Sequence, residues 1–257
     1  MEFENIIFEV ADRVAKITIN RPPPNIIDIK TLREMIQAME AVKKRKGIKA
    51  VIITGAGNKA FSTGVSVQDH LPDSVEEMIP LFGNFFRTMI SLEQPTIAVV
   101  NGYCLAGGCE VACFCDMVIA SEKSQFAQPE IKLGDFAPLA VAAYPRMMGR
   151  KKAFEFLFTG DTIDAREAER IGLVNMVVPE DKLEEEVDRL LKKLTSLSPL
   201  AIRASKRALY AGYDVRFEQA LAASEDIYLN VCAKSKQGFE GLYAFLEKRE
   251  PVWDEEG

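Results

Sequence analysis

The stretch Asn101-Gly-Tyr-Cys-Leu-Ala-Gly-Gly-Cys-Glu110 closes an apolar strand, Thr96 to Asn101, and opens a helix expected from about Gly107 to Phe114. Adjacent glycines at such a junction let a ligand atom approach main-chain N–H groups that the start of a helix leaves unpaired. That arrangement favours developing negative charge, although a tight turn using glycine for packing is the plainer reading. Glu110 falls in the first turn among Val111, Ala112, Cys113 and Phe114. There a carboxylate either complements the helix dipole or is kept for chemistry, because burying it is costly.

The order strand, glycine loop, helix recurs on either side of this stretch. Upstream, Ala50 to Thr54 reads as a buried strand, Gly55 to Gly64 as a loop and Val75 to Leu92 as a helix; downstream, Met117 to Ala120 reads as another strand. The chain begins with two strands, Ile6 to Val10 and Val14 to Ile19, set as a hairpin, and Arg21-Pro-Pro-Pro-Asn25 then stops strand pairing. Leu32, Met35, Ile36, Met39 and Val42 recur at helical spacing up to the basic run Lys43 to Lys46, which suits the end of a helix dipole. These alternations predict an α/β fold of repeated strand-turn-helix units rather than a bundle.

From Leu139 the pattern turns helical, with a capping-box-like start at Asp164 to Glu167, a short strand expected over Leu173 to Val178, and an apolar stripe of Leu183, Val187, Leu190, Leu191 and Leu194. Pro199 to Trp253 reads as three further helices with little strand left to cover, which suggests packing on another subunit. No Pro/Ser-rich linker separates independent domains.

The 257 residues, 48% hydrophobic and 27% charged, exclude disorder, collagen and small disulfide scaffolds. A net charge of −6 argues against general attraction to nucleic acid or anionic membranes, so the cluster Lys43, Lys44, Arg45, Lys46 and Lys49 is expected to be a solvated helix end. The single histidine, His70, leaves no His-His metal pair, and carboxylates become the leading acid-base candidates. Five cysteines and an acidic N-terminus fit a reducing cytoplasm, and no run approaches the roughly 18 apolar residues of a membrane span. The series Cys104, Cys109, Cys113, Cys115 matches no familiar zinc or iron–sulfur spacing and is expected in the core.

Two further places carry candidate chemistry. Gly64, in Lys59-Ala-Phe-Ser-Thr-Gly-Val-Ser66, can expose the N–H of Val65 at the same rim as Gly107, and two such donors would form an oxyanion hole; a plain turn glycine is the alternative. Glu130 follows Pro129 in a turn after the short strand at Gln125, where an exposed loop carboxylate is the ordinary expectation.

Taken in order, Lys59 to Gly64, Asn101 to Glu110, Gln125 to Gly134 and Thr159 to Pro179 resemble the crotonase (enoyl-CoA hydratase/isomerase) superfamily over nearly the whole chain. The resemblance implies a spiral of ββα units over residues 1–198 that holds the CoA and acyl site. It also implies a helical oligomerisation region over 199–257 that builds a homotrimer or a dimer of trimers. It places a thioester carbonyl between the N–H groups of Val65 and Gly107. Glu110 becomes the base for an attacking water and Glu130 the acid toward the carbon chain, so that water adds reversibly to a conjugated enoyl-CoA; an enoyl-CoA double-bond isomerase or another acyl-CoA enzyme of the same fold is the alternative, and an RNA-binding relative a more distant one. CoA is part of the substrate, and no cofactor or metal is implied.

Further CoA or acyl contacts implied by the resemblance are Pro23, Pro24, Asn25, Ile26, Ile27, Ser62, Gly64, Gly108, Asp135, Phe136 and Pro138, with Phe245 and Lys248 reaching CoA from a neighbouring subunit. The chain departs from the family at Val65-Ser66, in the shortened Pro23-Pro24-Asn25 loop and in the turn after Gly134. The first loop and that altered turn are similar to those of cyclohexa-1,5-diene-1-carbonyl-CoA hydratases, which would have Phe136, Pro138 and Tyr144 shape a flat acyl pocket, with Asp135 near the ring.

Overall fold

The computed structural model describes residues 2–254. Strand β1 (Ile6–Ala11) turns back into β2 (Val14–Ile19) through Asp12 and Arg13, both at positive φ, the backbone that a two-residue hairpin turn requires. Period-two alternation buries Ala15, Ile17 and Ile19. Helix α1 (Ile29–Lys43) starts where Asp28 Oδ1 accepts the Thr31 N–H at 2.8 Å, and it buries Leu32, Met35, Met39 and Val42.

Each repeat then supplies one strand to each of two sheets. Strand β3 (Ala50–Gly55) joins the large sheet and β4 (Ala60–Ser62) the small one, before α2 (Val75–Ile90). Next come β5 (Thr96–Val100), β6 (Tyr103–Leu105) and α3 (Gly107–Cys113), then β7 (Met117–Ser121) and β8 (Gln125–Ala127). After α4 (Pro138–Met147) and α5 (Arg150–Thr159), β9 (Ile163–Asp164), α6 (Ala165–Arg170) and β10 (Met176–Val178) complete the sheets. The large sheet has the order β1-β2-β3-β5-β7-β10 and is parallel apart from β1; the small one has the order β4-β6-β8-β9, with only β9 antiparallel.

Gly55 to Gly64 and Gly102 to Gly108 are therefore not plain loops: each contains a three-residue strand of the small sheet. The strand expected over Leu173 to Val178 is confined to its last three residues. The capping at Asp164 is as expected, its side chain accepting the Glu167 N–H at 2.7 Å.

The main core lies between the sheets and α1, α2 and α3, where Phe82, Phe85, Phe86 and Phe114 pack edge to face with centroids as close as 4.7 Å. The large sheet's other face meets α7 (Leu183–Thr195), whose Leu183 and Val187 cover Ile52 and Ile119. Cys104, Cys109, Cys113 and Cys115 are all buried and free, as their apolar setting suggested.

The C-terminal region holds α8 (Pro199–Gly212), α9 (Phe217–Ile227), a wide helical turn over Tyr228–Cys232 and α10 (Lys236–Glu247); residues 255–257 of the expected 199–257 region lie outside those described. A largely buried polar clamp fixes it to the core. Asp116 receives the Lys206 ammonium at 2.7 Å, the Tyr210 hydroxyl at 2.9 Å and the Thr96 N–H at 2.7 Å. Of the expected surface basic cluster, Lys49 is instead buried, its ammonium donating to Thr195 O at 2.6 Å.

Candidate active site

Strands β4 and β6 lie side by side, so the turns that follow them, Thr63–Val65 and Ala106–Gly107, come together. A Cβ on Gly64 would sit 2.6 Å from Ala106 Cβ and 3.3 Å from Gly107 N, and one on Gly107 would sit 3.3 Å from Val65 N. Among the described residues neither the Val65 nor the Gly107 N–H is taken by an acceptor. Two free donors from different loops thus face one small space, the arrangement that stabilises an oxyanion.

The surrounding residues fix these donors. Gly64 has φ +109° and its N–H donates to Ser62 Oγ at 3.0 Å. Ala106 holds φ 51° and ψ −134°, a conformation unfavourable for a residue with a Cβ, directly before the first helical N–H. Nothing in the sequence marks Ala106, because its side chain is the most ordinary of all. Gly108 presses against Ser62, where a Cβ would lie 2.6 Å from Ser62 O. Ser62 and Gly108 are both buried and act here as braces of the donor loops.

The segment Pro23 to Ile27 runs beside the same loop. Pro24 O accepts the Thr63 N–H at 2.9 Å, Ile27 N–H donates to Gly64 O at 2.9 Å, and Ile27 O accepts the Ser66 N–H at 2.8 Å. Asn25, fully buried at φ 51°, uses its whole side chain internally: Oδ1 accepts the Arg21 N–H, and Nδ2 donates to Ala56 O and Ala60 O. Ile26 is half-buried and Pro23 exposed.

Both candidate glutamates depart from ordinary carboxylates. Glu110 is 1% exposed and its Oε1 accepts the Ala140 N–H, in the first turn of α4, at 2.8 Å. Burial pushes its pKa up to about 8 against the pull of that hydrogen bond, and the charge of Glu130 adds to the rise. Glu130 sits in the single-turn helix Pro129–Leu133, and burial raises it to about 7, helped by Cys109 and Asp135. Its carboxylate receives the Gln128 amide at 3.2 and 3.4 Å. Glu130 is thus no exposed loop carboxylate, and two groups near neutrality stand close enough to sense each other.

The turn after Gly134 differs from expectation in one respect. Asp135 and Phe136 are exposed, Phe136 by 59%, and Pro138 opens α4 at its first turn, but Tyr144 is completely buried beneath the site rather than forming a pocket wall. Its hydroxyl donates to Gln128 Oε1 at 3.2 Å. Phe245 and Lys248, at the end of α10, are exposed on a helix that packs on α8 and the Tyr228–Cys232 turn, so this single chain does not bring them to the glutamates. His70 bonds through Nδ1 to Ser66 O at 2.9 Å. No group of three metal-ligating side chains occurs among the described residues, and no described helix is long and apolar enough to cross a membrane.

The fold that carries these groups superimposes on solved enoyl-CoA hydratase structures. Among them, the 1.8 Å structure of enoyl-CoA hydratase from Bacillus anthracis matches with a TM-score of 0.93 at 32% identity, covering 98% of this chain and 100% of that one. A profile of the family described as Enoyl-CoA hydratase/isomerase matches residues 9–256. The chain belongs to that family. It is 37% identical over 254 residues to a crotonyl-CoA hydratase of Syntrophomonas wolfei, covering 97% of both chains. It is also 34% identical over 239 residues to a cyclohexa-1,5-dienecarbonyl-CoA hydratase of Thauera aromatica, covering 93% of this chain and 92% of the other.

Proposed function

We propose that the protein is an enoyl-CoA hydratase that adds water reversibly to the conjugated double bond of an acyl-CoA thioester. The observation that carries the reading is the pairing of Glu110 and Glu130, with pKa values raised to about 8 and about 7, beside the free N–H groups of Val65 and Gly107. The thioester oxygen lies between the two donors, which stabilise the enolate-like charge that builds as water attacks the β-carbon. Near neutral pH the carboxyl pair holds one proton. In hydration Glu110 takes a proton from water while Glu130 delivers one to the α-carbon; dehydration runs the same steps backwards.

The acyl group is a conjugated enoyl chain, open or cyclic, bordered by Asp135, Phe136 and Pro138. CoA lies along Pro23 to Ile27, with Phe245 and Lys248 contributed by a neighbouring subunit. The exposed apolar side chains of the C-terminal helices, among them Leu209, Phe217, Tyr228 and Leu246, support a homotrimer or a dimer of trimers. A reducing cytoplasm suits the free cysteines.

The test follows loss of enoyl-thioester absorbance and product mass on crotonyl-CoA, a longer trans-2-enoyl-CoA and cyclohexa-1,5-diene-1-carbonyl-CoA, for wild type, Glu110→Gln and Glu130→Gln. Gain of water on one substrate, falling about a hundredfold or more in both variants, is expected and names the acyl class. Turnover without mass change, or activity indifferent to Glu110→Gln, overturns the hydratase reading in favour of double-bond isomerisation through Glu130.

A further inference from the structure

One helix reaches both carboxyls of the site, by different means. Near its start, α4 presents the main-chain N–H of Ala140 to Glu110 Oε1. One turn further on it carries Tyr144, whose hydroxyl is linked to Glu130 through a buried amide. Between them stands Gln128, itself 1% exposed.

A primary amide has a donor end and an acceptor end, and a carboxylate bonds favourably only to the donor end. Left alone, the Gln128 amide could turn either end toward Glu130. The Tyr144 hydroxyl favours one of them: it donates to Oε1 at 3.2 Å in preference to the more distant Cys109 Sγ at 3.5 Å, and a buried phenol whose pKa is pushed up by desolvation keeps the proton for that bond. With Oε1 occupied, Nε2 is directed to Glu130 at 3.2 and 3.4 Å. The phenol is itself held by its burial, by the Phe156 ring at 6.1 Å and by the Cys109 sulfur at 3.5 Å.

We propose that Tyr144 is a positioning residue for the reaction, fixing the Gln128 amide so that its N–H group orients the Glu130 carboxylate toward the substrate α-carbon. The proposal rests on the hydratase reading above. Glu110 then takes its position from the backbone of α4 and Glu130 from a side chain of the same helix, so the spacing of the two carboxyls is set by one rigid element.

Tyr144→Phe keeps the ring and removes only the hydroxyl, and Gln128→Leu removes the relay. Loosening the amide that orients the Glu130 carboxylate predicts a fall in kcat of about tenfold in Tyr144→Phe, with KM for the thioester within about twofold of wild type. The titratable neighbours of Glu130 are Glu110 and Cys109 on α3 and Asp135 on its own turn, and Tyr144→Phe leaves all three in place. Loss of the amide donor raises Glu130, so the pH limb belonging to that group moves upward in the variant.

Because Tyr144 acts through Gln128, the double variant should be no slower than Gln128→Leu alone, a non-additivity that a purely structural role would not produce. Unchanged kcat and pH profile in Tyr144→Phe, or additive losses in the double variant, overturn the proposal. Glu110→Gln, measured beside them with product mass, separates the two levels. If it stays active, or no water is gained, the hydratase assignment fails, and if it is inactive while Tyr144→Phe behaves as wild type only the positioning role fails.

Discussion

Glu110→Gln should make the protein more stable, and increasingly so as pH rises. The side chain is 1% exposed, and its pKa moves from an ordinary 4.5 in the unfolded chain to about 8 in the fold. A carboxyl raised by folding favours the folded state fully only while it is protonated in both states. That advantage disappears as pH climbs through the interval from 4.5 to 8. Linkage puts the accumulated cost at about 1 kcal/mol at pH 5 and about 5 kcal/mol at pH 9.

Glutamine has the same shape, keeps an oxygen to accept the Ala140 N–H, and never ionises. The variant should therefore gain about 4 kcal/mol over wild type between pH 5 and pH 9, on the order of 10 °C in Tm for a chain of this size. Thermal unfolding of both proteins at the two pH values, at equal concentration, measures it. A Tm difference that does not change with pH would refute the claim that a carboxyl is held in the core with a raised pKa, whatever the variant does to activity.

Two more outcomes follow from the same geometry. With the pair near 7 and 8, kcat/KM should trace a bell with its maximum close to pH 7.5: below it both carboxyls are protonated and no base remains, above it both are ionised and no acid remains; a flat profile from pH 5 to 10 would contradict the shared proton. Gly64→Ala places a Cβ 2.6 Å from Ala106 Cβ at φ +109°, so the Val65 donor must move and kcat should fall about a hundredfold or more; Gly149→Ala, at φ +82° with nothing within 4 Å, should lose stability but not rate.

Long alternations made the large sheet readable: Val14 to Ile19 and Ala50 to Thr54 extend far enough to show period two or an unbroken apolar run. The small sheet was hidden because Ala60–Ser62, Tyr103–Leu105 and Gln125–Ala127 are three residues each, too short for any period. The glycine pair and Gly64 signalled the two donors, since close approach demands glycine there. Ala106 gave no signal, because backbone strain leaves none when the residue is not glycine. The partner of Glu110 is a main-chain N–H, and main-chain groups carry no letter. Tyr144 was placed on the pocket wall because its letter shows size and polarity but not depth. For the same reason the buried Lys49 could not be told from the surface lysines beside it.

The division of labour at this site bears on how such a protein can diverge. In the proposed reaction the electrophile is held by backbone alone, through Val65 and Gly107, so no side chain of the turn after Gly134 is needed to stabilise its charge. Asp135, Phe136 and Pro138 are consequently free to be exchanged for residues that suit another acyl group, provided the α4 backbone still meets Glu110. A catalytic centre written in the main chain can be kept while the letters around it change, which makes selection for a new thioester a matter of a few substitutions in one turn.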